Sequence, residues 1–127
     1  MTDVGTVVRT YTEAWLAGDL ATVVELYHDD LVLHYGGSHS LSGDHVGKDA
    51  ALHALLTVQA RTDRVPLAVL DVMTGAEFAT AWVRERWTVD GTDHELTRVL
   101  VYCVRDGKLA ECWLYDNDSA LVDRALA

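Results

Sequence analysis

One acid stands among the inward residues of an otherwise apolar strand, and no other group in the sequence is better placed to move a proton. From Ala79 to Val89 the residues alternate between two sets, as they do in a strand with one face on a core. Ala79, Ala81, Val83, Trp87 and Val89 form the inward set, and Glu85 is its one charged member. Asp90-Gly91 supplies the positive backbone angles of a two-residue turn. That turn sets Val83 opposite Arg98, Glu85 opposite Leu96 and Trp87 opposite His94. Diagonal neighbours across a sheet lie about 7–8 Å apart, so Glu85 reaches both His94 and Arg98. Two readings follow. A carboxyl in an apolar surround suits general acid or base work, whereas the same carboxyl closed on Arg98 is a buried ion pair with a structural role. Arg98 itself has the geometry to hold a substrate carboxylate or enolate.

Other polar groups fall on the same side of the chain. Tyr11 sits on an apolar helix stripe with Trp15 and can aim its phenol at a substrate oxygen or keep it at the edge of the core. Tyr35 shares its strand face with Leu31 and Leu33. His34 points the other way and reads as structural, though phase is insecure beside Gly36. His39, in a polar loop, is a candidate lid residue. Leu100, Cys112 and Leu114 continue the inward wall with Trp87, and Cys112 there is a small apolar filler rather than a nucleophile. Asp116 ends that face, either as a cap or as a second proton-transfer group. Six histidines invite a metal reading, but no two share one element at ligand spacing, and neither metal nor cofactor is expected. Phosphate loops and a Ser-His-Asp set are absent.

The elements that must position these groups are legible from periodicity. Val4, Val7, Val8, Tyr11, Ala14 and Trp15 predict a helix from about Asp3 to Ala17, ended by Gly18. Asp19 caps a second helix running to Leu26 or Tyr27. Leu31–Tyr35 reads as a short strand and 38–47 as a polar loop. A third helix is expected from Asp49 to about Arg61. Pro66 then leads into a strand over Leu67–Met73. The last turn, Arg105-Asp106-Gly107-Lys108, permits two registers. A three-residue loop is favoured over a two-residue turn, since it gathers Arg98, Leu100, Tyr102, Ala110, Cys112 and Leu114 inward and puts Leu100 opposite Cys112. It also sets Cys103 and Cys112 on opposite faces, which excludes a disulfide. Three helices followed by hairpins indicate an α+β domain, with helices covering one face of a curved antiparallel sheet to form a cone. Trp82, Trp113 and Tyr115, interleaved with Arg84, Arg86 and Glu111, lie on the opposite face and read as a protein interface.

Length supports a single domain over residues 1–127 with a core of its own. A net charge of -10 argues against nucleic acid or an anionic membrane as partner. Met1-Thr2-Asp3-Val4 begins no leader segment and no apolar run approaches the roughly 20 residues of a span, so a cytoplasmic location is expected.

Four ordered motifs carry a family likeness: Tyr11-x3-Trp15-x-Ala17-Gly18-Asp19-Leu20, Leu26-Tyr27-His28-Asp29-Asp30, His34-x2-Gly37-x3-Leu41-x-Gly43-x3-Gly47-Lys48-Asp49, and Val104-Arg105-Asp106-Gly107-Lys108-Leu109-x-Glu111-x-Trp113. Together they resemble the SnoaL-like and ketosteroid-isomerase-like proteins of the nuclear-transport-factor-2-like superfamily, over nearly the whole chain. The resemblance implies a cystatin-like α+β barrel, a homodimer through the outer sheet face, and an activity among isomerases, dehydratases, polyketide cyclases, epoxide hydrolases or members without known activity. It places Tyr11 where ketosteroid isomerases carry an oxyanion-binding tyrosine, but Tyr35 where they carry the base and Leu100 where they carry a protonated acid. The acid-base histidine and aspartate of the cyclases fall at about Leu100 and Leu114. Neither mechanism therefore transfers unmodified.

The sequence thus points to a cofactor-independent isomerase, lyase or cyclase acting on a small, largely apolar, oxygenated molecule. Glu85 would move the proton and Tyr11 and Tyr35 would donate to an oxyanion. Arg98, Trp87, Trp15, His34, His39, Leu100, Cys112, Leu114 and Asp116 would surround the substrate. The alternatives are a binding protein using the same hollow, and an epoxide hydrolase in which Glu85 and Asp116 flank one water.

Overall fold

Capping residues and apolar spacing produce the helices, and turn residues the sheet. The computed structural model describes residues 3–127; Met1-Thr2, read above for a leader, lies outside them. The elements run α1 (Val4–Ala17), α2 (Leu20–Glu25), β1 (Tyr27–Tyr35), β2 (Gly43–Val46), α3 (Lys48–Thr62), β3 (Val65–Thr74), β4 (Phe78–Val89), β5 (Thr92–Arg105), β6 (Lys108–Asp116) and α4 (Ser119–Ala125). Asp3 caps α1 by accepting the Thr6 amide at 2.7 Å, and Gly18 ends that helix in the left-handed region at φ 74. Asp19 caps α2 in the same way as Asp3 caps α1.

The six strands form one open sheet in the order β2-β1-β6-β5-β4-β3. Helices α1, α2 and α3 cover its inner face, giving the expected α+β cone, and three details differ from expectation. The sheet is mixed, because β1 runs parallel to β6; strand direction across a long connection cannot be read from local alternation. Segment 43–46 is a strand on the edge beside β1, and its short polar sequence, typical of edge strands, disguises it as loop. A fourth helix, α4, buries Leu121 and Val122; seven residues are too few for a clear helical period. In addition, α2 stops at Glu25, and Tyr27 already belongs to β1. The Asp29-Asp30 pair lies in an irregular stretch of that strand, where its pairing with β6 shifts.

The β4–β5 hairpin has the predicted register, with Glu85 opposite Leu96 and Val83 opposite Arg98. The β5–β6 hairpin does not. Its turn is the two-residue Asp106-Gly107, both at positive φ (56 and 72). An extra residue on β6, Ala110, then restores the phase between Leu109 and Glu111. The inward set survives, because turn and bulge together shift the phase as the three-residue loop would. The partners nevertheless move by two residues. Leu100 faces Leu114, Tyr102 faces Cys112, and Arg98 faces Asp116. Both cysteines are free. Pro66 lies on β3, which pairs only with β4, so its missing N–H breaks no inner ladder.

Candidate active site

The site is built around a guanidinium. Register places Arg98 between Val83 on β4 and Asp116 on β6, and its side chain is 1% exposed. Its Nε donates to Asp116 Oδ1 at 2.6 Å, Nη1 to Glu85 Oε1 at 3.2 Å, and Nη2 to the Tyr35 hydroxyl at 2.6 Å. The guanidinium carbon also lies 5.0 Å from the Trp87 ring centroid and 5.5 Å from that of Tyr35. Burial disfavours the charged arginine, but the surrounding Glu85, Tyr35 and Asp116 outweigh it and hold the cation more firmly than usual.

Glu85, 2% exposed, is held by its Oε1 alone, which also accepts the Trp87 indole N–H at 2.9 Å. Oε2 has no hydrogen-bond partner among the described residues. No fully occluded side-chain oxygen there lacks one, so Oε2 keeps access to the cavity that Glu85 lines. That cavity, of about 210 Å³, lies between the three helices and the inner faces of β4, β5 and β6. Its wall is mostly apolar: Trp15 of α1, Leu20, Val23 and Val24 of α2, Leu52, Leu55 and Leu56 of α3, and Ala81, Val83, Leu100 and Leu114 of the sheet. Leu20 and Leu56 are themselves solvent-exposed, which locates the opening.

Polar groups converge on the cavity from a second direction. Tyr11 and Tyr27 share a hydrogen bond of 2.6 Å between their hydroxyls. Tyr102 packs edge-on against Tyr11, with ring centroids 5.5 Å apart. Burial raises the pKa of all three phenols, so they are neutral hydrogen-bond donors. Cys112, pushed up to about 12 by burial, lines a small crevice beside these tyrosines and stays a thiol.

Of the residues singled out from sequence, Glu85, Arg98, Tyr11, Trp15, Leu100 and Leu114 line the cavity, and Cys112 lines its adjoining crevice. Five do not reach it. Trp87 is fully buried and orients Glu85. Tyr35 holds Arg98 from the far side. Asp116 lines a separate crevice with His39. His39 is no lid: its ring packs edge-on against Tyr35 at 4.5 Å, and its two nitrogens bond Gly36 O and the Leu41 amide. His34 lies on the outer face, stacked on Trp113 at 5.0 Å between Asp44 and Glu111. The strand alternation that aimed Tyr35 inward had to aim His34 outward.

Tyr27, Tyr102 and Arg64 belong to the wall but were not among the candidates. Strand alternation puts Tyr102 inward but gives it no role, and the apolar spacing of α2 absorbs Tyr27 into a helix. Arg64 sits in a two-residue connection with no periodicity to reveal its direction.

Residues 8–112 match the SnoaL-like domain family, and the chain belongs to it. Solved structures share the fold. A protein of unknown function with a cystatin-like fold from Xanthomonas campestris superposes with a TM-score of 0.89 at 20% identity, over 99% of each chain. TerC, co-crystallized with polyporic acid, gives 0.78 at 15% identity over 95% of this chain and 96% of its own. IdmH, a candidate polyketide cyclase from Streptomyces antibioticus, gives 0.73 at 21% identity over 97% of this chain and 98% of its own. Such identities establish the fold and leave the chemistry to the site. A search of curated proteins finds no match.

Proposed function

We propose that the protein is a cofactor-independent, cytoplasmic enzyme of isomerase, dehydratase or cyclase type. It would move a proton on a small, largely apolar, oxygenated molecule held in the cavity. The observation that carries this reading is the Glu85 carboxylate, anchored through one oxygen and open to an apolar cavity through the other. Two formal negative charges, on Glu85 and Asp116, share the single positive charge of Arg98. Asp116 is the closer partner, at 2.6 Å against 3.2 Å, so the guanidinium is not committed to Glu85 alone. Trp87 and Arg98 fix its direction, which is the positioning a general base needs. In the Tyr11–Tyr27 pair one hydroxyl donates to the other, and the second keeps a proton to offer a developing oxyanion.

An apolar cavity of about 150 Å³ admits a benzene-sized ring, so a space of about 210 Å³ suits a monocyclic compound or one slightly larger. Epoxide hydrolysis would require Asp116 and Glu85 on one water, whereas Asp116 lines a different crevice. Two of the three compared structures fit a role in small-molecule chemistry: IdmH as a candidate polyketide cyclase and TerC with polyporic acid.

The test is solvent exchange. Monocyclic ketones, enones and keto acids are incubated with the protein in D2O, and deuterium incorporation beside the carbonyl is followed by NMR. Wild type should accelerate exchange for members that fit, and Glu85→Gln should slow it by about 10²-fold or more while still binding them. Undiminished exchange in Glu85→Gln would sink the catalytic role of Glu85, and binding without acceleration by wild type would leave a small-molecule binding protein.

A further inference from the structure

The cavity wall contains two cations, and they are not equivalent. Arg98 is engaged at all three of its nitrogens by Glu85, Asp116 and Tyr35. Arg64 has no carboxylate within ion-pair distance and no hydrogen bond among the described residues, yet it is half-buried and lines the cavity. Asp63, in the left-handed region at φ 47, ends α3, and the chain enters β3 at Val65. The backbone on both sides of Arg64 is therefore held by regular elements.

A half-buried guanidinium without an acceptor loses hydration and recovers nothing within the protein. An arginine can avoid that loss by lying along an apolar surface with its head in water. Arg64 sits on the wall of the cavity, which Tyr11 and Tyr27 also line. In a chain of net charge -10 an anionic ligand is opposed by the overall field and by Glu85, and one uncommitted guanidinium inside the cavity reverses that locally. Its planar fork matches a carboxylate in two-point contact.

We propose that Arg64 anchors a carboxylate of the cavity's ligand, which makes the substrate class small, roughly monocyclic carboxylic acids. This rests on the reading of the cavity as the small-molecule site. The acid group would lie at Arg64 and the apolar body would fill the leucine-lined space. The carbon that loses its proton would face Glu85.

The experiment compares 3-phenylpropanoate with its neutral amide, 3-phenylpropanamide, by isothermal titration calorimetry against the full chain. Wild type should bind the acid about tenfold or more tightly than the amide, the scale of one charge-assisted contact. Arg64→Gln should reduce the acid to the affinity of the amide and leave the amide unchanged, while Arg64→Lys, keeping the charge and losing the fork, should fall between. Circular dichroism confirms that each variant is folded. Equal binding of acid and amide by wild type, or equal weakening of both in Arg64→Gln, would overturn the anchor and leave the cavity reading intact. If neither compound binds, nor the neutral ring p-cresol, the cavity reading fails and the anchor with it.

Discussion

Arg98 holds two carboxylates and a phenol at once, and this decides how Glu85 behaves. A buried pair of one acid and one base would be closed and inert; a second acid at 2.6 Å makes the arginine a shared partner. Removing it leaves two buried carboxylates with no counter-charge. Arg98→Met should therefore cost about 3–5 kcal/mol of stability, read as a lower midpoint in urea denaturation; a loss under about 1 kcal/mol would show the network is not the one described. Glu85 was visible in the sequence as the single break in an apolar alternation. Asp116 as partner was not, because the expected register put it opposite Leu96. His34 gives a second residue-level test. Partial burial disfavours its charged ring, but hydrogen bonds to Glu111 and Asp44 outweigh that and raise its pKa above 6.5. A raised folded-state pKa stabilises fully below the unfolded value of about 6.5, and the contribution disappears as pH rises through the folded value. The stability gap between wild type and His34→Gln should thus be larger at pH 6 than at pH 8.5, measured by urea denaturation; an equal gap at both would remove the charge from the account.

At the scale of elements, the two hairpins have turns of the same kind, Asp90-Gly91 and Asp106-Gly107, with every one of those residues at positive φ. In β4–β5 the turn alone fixes the register. In β5–β6 the turn would carry Cys112 and Leu114 outward if the ladder were regular, and Ala110 prevents it. Ala110 is itself buried. Deleting it should force a choice between an outward Leu114 and a broken ladder. The expected outcome is loss of the cooperative thermal transition and of soluble yield, whereas a deletion variant that melts like wild type would show the bulge is dispensable. The sequence offered the correct inward face through a different turn, since a three-residue loop and a two-residue turn plus bulge have the same effect on side-chain phase. Only cross-strand pairing distinguishes them.

At the scale of the molecule, the sheet has two unlike faces. The inner one is covered by helices and contains the cavity. The outer one exposes Phe78, Trp82 and Tyr115 by 45%, 43% and 54%, with Trp113 between His34 and Phe78. Adjacent exposed aromatics of this kind mark interaction surfaces, and the proposal of a homodimer across this face predicts a sedimentation mass of twice the 14.0 kDa chain. Trp82→Glu with Tyr115→Glu should return it to one chain mass, and a wild type that sediments as a monomer at tens of micromolar would exclude this dimer. Among the described residues no helix is long and apolar enough to cross a membrane.

What the sequence determined by itself was local: helix caps, strand alternation, the β4–β5 register, and the presence of one acid on an inward face. These follow from spacing, turn residues and backbone angles within a few residues of each other. The tertiary structure decided which of the inward polar groups share a space. Parallel pairing of β1 with β6 brought Tyr35 to Arg98, the bulge at Ala110 brought Asp116 there as well, and the connection after α3 turned Arg64 toward the cavity. Each of these depends on contacts between residues distant in the chain, about which local periodicity carries no information.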